Sequence, residues 1–132
     1  LHPDEVIALH TSRILEVAIM GFLPGLGYLT GVDDALHLPR RSEPRTFVPQ
    51  GSVGLAMDQT VIYPLNSPGG WNLIGRMPIP LFDQKRENPI LFSAGDQVSF
   101  YAVNADKYEE LAASCVDGNL PICPEQADEA AL

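Results

Sequence analysis

Positive charge is scarce in this chain: 8 Lys and Arg stand against 17 Asp and Glu in 132 residues, a formal net charge of −9. That balance argues against nucleic acid as a partner, because phosphate recognition needs clustered Lys and Arg. No apolar run approaches the roughly eighteen residues that cross a bilayer. No charged segment leads into an apolar one at the start, so neither a membrane span nor secretion is expected. Cysteine is limited to Cys115 and Cys123. Two reduced thiols fit a cytoplasmic protein, with a single local disulfide as the alternative. His and Cys nowhere fall at metal-ligand spacing, so no metal site is expected.

Glycine and proline are plentiful, at 11 and 12 residues. Such punctuation favours short strands and tight turns over long helices, and the length suits one domain. Residues 3 to 11 read as a short helix, with Pro3 at a first helical position and Asp4 and Glu5 where the helix dipole favours acids. Val6, Leu9 and His10 share a face, so His10 points inward or to a cleft rim. Leu15, Val17 and Ile19 alternate as one face of a strand. Gly21 to Leu29 follows as a glycine-rich turn carrying Phe22 and Tyr28. It has neither the Lys-Ser/Thr ending of a phosphate loop nor dinucleotide-type glycine spacing.

Residues 30 to 47 read as a loop in which Arg40, Arg41 and Arg45 sit beside Pro39 and Pro44. Guanidinium groups at proline-stiffened positions suit a carboxylate or phosphate, where a solvated loop is the plain alternative. Gly51 to Ala56 is a strand. The organising stretch is Gln59 to Arg76, read as a hairpin. Val61 and Tyr63 alternate with Ile62 on one arm, and Trp71 and Leu73 alternate with Asn72 and Ile74 on the other. Asn66-Ser67-Pro68-Gly69-Gly70 is the expected type II turn, with glycine at positive φ after proline. Beyond it, 77 to 89 is a proline-rich connection, 90 to 92 a short strand, 97 to 103 a strand and 106 to 113 a helix, with an acidic, disordered remainder from Pro124. Short strands at this spacing imply a mainly β fold, a small closed barrel with a helix near each end.

Seven motifs occur in order: GF-x-PG-x-x-YL at 21 to 29, PRR-x-x-PR at 39 to 45, VP-x-GSVG at 48 to 54, QT-x-IYP at 59 to 64, SPGGW-x-x-IGR at 67 to 76, FD at 82 to 83 and GD-x-V-x-F at 95 to 100. Together they resemble the C-terminal domain of the allophanate hydrolase subunit 1 family, over about residues 4 to 105. That family takes in one of the subunits of bacterial ATP-dependent 5-oxoprolinase and an inhibitor of a sporulation histidine kinase. A similar domain belongs to the carboxyltransferase region of urea carboxylase. The resemblance implies a cyclophilin-like closed barrel at about 14 to 105, a single C-terminal domain over 1 to 132, and absence of the family's N-terminal domain. The family pattern has glycine where this chain has Met57 and Val61, and an aromatic residue where it has Leu26.

What the resemblance implies about function is a subunit of an ATP-dependent amide-hydrolysing complex, inactive alone. It would share a site with an allophanate hydrolase subunit 2-type partner, and with a third 5-oxoprolinase subunit where one exists. ATP would serve the complex, with no cofactor evident in this domain. Arg40, Arg45 and Arg76 suit a carboxylate or phosphate. Backbone N–H groups at Gly69, Gly70 and Trp71, beside Ser67, suit an oxyanion or phosphate nest. Gln59, Tyr63, Asn72 and His10 suit orienting a substrate or moving a proton, with His10, Gln59, Tyr63 and Arg76 as the catalytic candidates. The alternative is a regulatory module that inhibits a sensor histidine kinase, receiving a partner segment in a groove of Phe22, Tyr28, Tyr63 and Trp71.

Overall fold

The computed structural model describes residues 2–115. The expected disordered remainder from Pro124, and Cys123 with it, lie outside the described residues. Helix α1 (Pro3–His10) opens with a capping box: the His2 side chain accepts from the Asp4 N–H at 3.2 Å, and Glu5 reaches back to the His2 N–H at 3.3 Å. Those bonds satisfy donors that a helix start leaves orphaned. Eight strands follow: β1 (Ile14–Met20), β2 (Gly27–Thr30), β3 (Arg45–Val48), β4 (Ser52–Ala56), β5 (Gln59–Ile62), β6 (Ser67–Gly69), β7 (Asn72–Arg76) and β8 (Gln97–Ser99). Helix α2 (Ala105–Ser114) ends the described chain. Among the described residues no helix is long and apolar enough to cross a membrane.

The strands form one antiparallel six-stranded sheet, ordered β7-β4-β5-β2-β1-β8, and a separate ribbon of β3 with β6. The expected closed barrel is therefore not formed. Among the described residues no strand pairs with the outer side of β7 or β8, and β3 and β6 pair with each other instead of joining the round. Pro78 and Pro80, just past β7, lack the N–H groups that a closing strand would need.

The expected hairpin of 59 to 76 is also corrected. β5 and β7 do not pair with each other. β4 lies between them, with Gly54 opposite Val61 on one side and Leu73 on the other. The stretch read as a type II turn is β6 itself, and neither Gly69 nor Gly70 has a positive φ. Side-chain alternation nonetheless holds. Val61, Tyr63 and Trp71 pack together on one face of the sheet, with Leu73 against them, while Ile62 faces the opposite core with Ile74 beside it.

Both faces of the sheet are covered. On one lies the larger core of Leu15, Val17, Leu29, Val53, Leu55, Ile62, Leu81 and Phe92, with Val6 and Leu9 of α1 against it. Each such aliphatic side chain contributes about 1.5–3 kcal/mol on full burial. On the other face a smaller cluster of Leu26, Val48, Ala56, Val61, Tyr63 and Trp71 sits under the ribbon. β4, buried at every position, serves both. Ile19, expected inward with Leu15 and Val17, is exposed, because a bulge between Val17 and Ile19 reverses the parity of β1. Residues 90 to 92 make only an isolated bridge, Ile90 to Phe82, and β8 stops at Ser99, short of the strand expected to run to 103.

Candidate functional site

Under the ribbon, the smaller cluster leaves a hollow of about 340 Å³, lined by Phe22, Tyr28, Arg40, Val61, Tyr63 and Trp71, with Leu26, Arg41, Pro44, Pro68, Gly69 and Gly70 completing the wall. The four aromatic residues expected to share a groove therefore do line one concavity. Its arrangement follows from local sequence. Gly54 lets Trp71 cross β4, since a Cβ at 54 would stand 3.0 Å from the Trp71 Cβ. Tyr28 then lies 6.0 Å from the Trp71 ring, tilted by 49°, and the Arg40 guanidinium stands over that ring at 5.9 Å. A cation over an indole face is attracted by the ring quadrupole.

Arg40 is carried there by a tethered segment. The Asn72 amide nitrogen donates to Pro39 O at 2.9 Å and to Leu55 O at 3.0 Å, and the Arg41 N–H donates to Gly70 O at 2.7 Å. Asn72, expected to orient substrate, is thus occupied as a strut between β4 and the arginine segment. Among the described residues no ion pair engages Arg40, Arg41 or Arg45. Nor does any carboxylate, His or Cys line the hollow. The electrostatics therefore favour an anionic guest.

Tyr63 is 3% exposed, and burial pushes its phenol above the ordinary value. The Trp71 backbone N–H pulls it back, Tyr28 adds to the rise and the Arg40 charge opposes it. The phenol is protonated at neutral pH and serves as a hydrogen-bond donor. The nest expected at Gly69 to Trp71 is not built: the Trp71 N–H faces the Tyr63 oxygen, and a nest needs the left-handed residue that neither glycine supplies.

The remaining expected residues lie elsewhere. Arg45 sits on β3 opposite Gly69 and does not line the hollow, whereas Arg41, its neighbour in the same motif, does. Arg76 borders a second, smaller hollow of about 120 Å³ with Gln50 and Tyr108, and its Nε donates to Gln50 O at 3.3 Å. Tyr63 lines both hollows. Ser67 Oγ is buried without a partner, outside both linings. Gln59 sits at the end of β5, opposite Ala56 and Thr30.

His10 is packed against the other core, 4.7 Å from the Phe100 ring. The Thr60 hydroxyl donates to Gly54 O at 3.0 Å, so it accepts from His10 Nε2–H at 2.9 Å. Burial lowers the pKa of this imidazole. Among the described residues no group of three or more His, Cys, Asp or Glu is placed to hold a metal ion.

Known proteins share both the sequence and the fold. Residues 1–92 match the family model for the carboxyltransferase domain, subdomain C and D. The chain is 49% identical over 100 residues to a 5-oxoprolinase subunit of Escherichia coli O157:H7, covering 76% of this chain and 46% of that protein. It is 44% identical over 108 residues to the corresponding 5-oxoprolinase subunit of Bacillus subtilis, covering 82% of this chain and 45% of that protein. A solved structure of a conserved uncharacterised protein from Pyrococcus horikoshii superposes with a TM-score of 0.75 at 41% identity, over 80% of this chain and 49% of that one. The chain thus spans about half the length of these relatives.

Proposed function

The chain belongs to the carboxyltransferase-domain family, subdomain C and D, and from that premise we propose that it is one part of an ATP-dependent amide-hydrolysing complex of the 5-oxoprolinase type. Its hollow forms part of a site shared with a partner subunit. The observation that carries this reading is the grouping of Arg40, Tyr63 and Trp71 in one concavity without a carboxylate. A small amide bearing a carboxylate finds there a cation for its charge, a protonated phenol for its carbonyl oxygen and an aromatic wall for its flat body. The relatives named as 5-oxoprolinase subunits support that substrate class.

The lining residues bind but offer no nucleophile and no general base, so the reacting groups come from the companion chain and this domain is inactive alone. Neither Gly69 nor Gly70 takes the left-handed conformation of a phosphate nest, so the hollow lacks that cradle for a nucleotide's phosphates. ATP is therefore handled elsewhere in the complex. The test is to assemble the full-length protein with its companion subunits and measure ATP consumption with and without 5-oxoproline. Consumption that depends on 5-oxoproline and on the presence of this subunit supports the reading; consumption indifferent to either overturns it. The regulatory alternative draws on the exposed apolar Phe22 at the rim of the hollow. Binding to a histidine kinase's dimerisation helices without such turnover would favour it.

A further inference from the structure

The loop joining β1 to β2 closes on itself: the Gly21 N–H donates to Leu26 O at 3.1 Å, and the Leu26 N–H to Leu23 O at 3.0 Å. Within it the Leu23 N–H donates to Gly21 O at 2.8 Å. The residue spanned by that bond, Phe22, has φ +68°. A bond from residue i+2 back to residue i across a positive φ is a γ-turn of the rare, strained hand. A bulky side chain is disfavoured there by clashes of its Cβ with the backbone.

Burial does not account for the strain, because Phe22 is 76% exposed. The adjacent Gly21 is equally open, since a Cβ added there would meet nothing within 4 Å. The far side of the loop is anchored instead. Gly25, with φ +87°, seats against Leu81 and Phe82 so closely that a Cβ would stand 3.2 Å from each. One side of the loop is therefore fixed to the body of the protein, and the other holds an aromatic ring out at the edge of the hollow that contains Trp71, Tyr28 and Arg40. Such local strain persists where the surrounding fold over-determines it, and it clusters at ligand clamps.

We propose that Phe22 is a specificity-determining clamp: the strained turn holds its ring at the mouth of the hollow, where it stacks on the flat face of a bound amide while Arg40 and Tyr63 take the polar edge. This inference rests on the reading of the hollow as an amide site. An amide is planar, so an aromatic ring presented in advance stacks on it without first being ordered. Selectivity follows from shape: flat amides are retained, and tetrahedral anions of similar charge are not.

The experiment titrates 5-oxoproline, and separately inorganic phosphate, by calorimetry into the full-length protein assembled with its companion subunits, as wild type and as the Phe22→Gly and Phe22→Tyr variants, and records a melting curve for each. Phe22→Gly relieves the turn and removes the ring. It is expected to melt about 3–6 °C higher while binding 5-oxoproline about tenfold more weakly, an aromatic contact's usual contribution. Phe22→Tyr is expected to keep the wild-type affinity, and phosphate to bind all three proteins equally weakly, well below the wild type's affinity for 5-oxoproline. Equal 5-oxoproline affinity in wild type and Phe22→Gly overturns the clamp and leaves the amide site standing. A lower melting temperature in Phe22→Gly overturns the strain argument. No 5-oxoproline binding by the wild-type complex removes the amide site and the clamp together.

Discussion

A methyl group placed on Gly69 would overlap the phenol oxygen of Tyr63. The close approach of ribbon to sheet at this point fixes the phenol beside the Trp71 N–H and under the arginine segment. Gly70, one residue on, has room: a Cβ there would meet Pro44 and Arg41 at 3.8–3.9 Å, ordinary contact. Gly69→Ala is therefore expected to cost about 1–3 kcal/mol, the usual range for overpacking, and Gly70→Ala less than about 0.5 kcal/mol. Urea denaturation of the two variants checks this; equal losses would mean that Tyr63 is not held by Gly69.

Arg40 and Arg76 border different hollows, and that separates their effects. Losing a hydrogen bond to a charged group costs about 1.5–3 kcal/mol. Arg40→Ala should therefore lower 5-oxoproline-dependent turnover of the assembled complex about 10- to 100-fold. Arg76→Ala should leave most of it. The reverse ranking would move the site to the smaller hollow beside Tyr108.

His10 gives the fold a pH dependence. Its folded pKa lies below the ordinary value of 6.5 because burial disfavours the charged ring. The unfolded chain thus takes up a proton first as pH falls. This residue's stabilising contribution is fully present above about pH 6.5 and declines below it, levelling off once pH passes the folded pKa. Melting temperatures from pH 8 to 5 should show a drop that His10→Gln, which cannot titrate, makes shallower. An unchanged drop would assign the effect to other groups.

Much of this arrangement is legible in the sequence, and the misses share a cause. Alternation of Val61, Tyr63, Trp71 and Leu73 reports which face each side chain takes, because that depends only on strand parity. It cannot report which strands are neighbours. β5 and β7 look like the arms of a hairpin because proline and glycine lie between them, yet β4 separates them and the punctuated segment is itself a strand. The barrel expectation fails in the same way: strand count and spacing are readable, but closure depends on long-range pairing. The arginine cluster at 40 to 45 points to the hollow, but the choice of Arg41 over Arg45 is made by the backbone bond from Arg41 to Gly70. His10 is placed by Thr60, fifty residues away, which no local pattern signals.

Met57 is another conformational outlier, with φ +54° at the first position of the tight connection between β4 and β5, and it is about half exposed. Hairpin turns take glycine at such a position because a side chain there crowds the backbone. Met57→Gly should therefore raise stability by about 0.5–1 kcal/mol, with the added freedom of glycine in the unfolded chain offsetting part of the gain. Chemical denaturation measures it directly, and a loss would show that the Met57 side chain contributes packing that outweighs its backbone.

The sheet order carries a kinetic corollary. β4 meets β5 across a two-residue turn and meets β7 soon afterwards, so the β7 end of the sheet closes through short loops. β8 and β1 are separated in the chain by all the other strands, Ile14 lying opposite Ser99, and closing so long a loop is entropically slower. Strands β4, β5 and β7 should thus form the nucleus, with β8 docking late and releasing first. Native-state amide exchange should accordingly find earlier opening at Ile14 to Glu16 than at Val53 to Leu55.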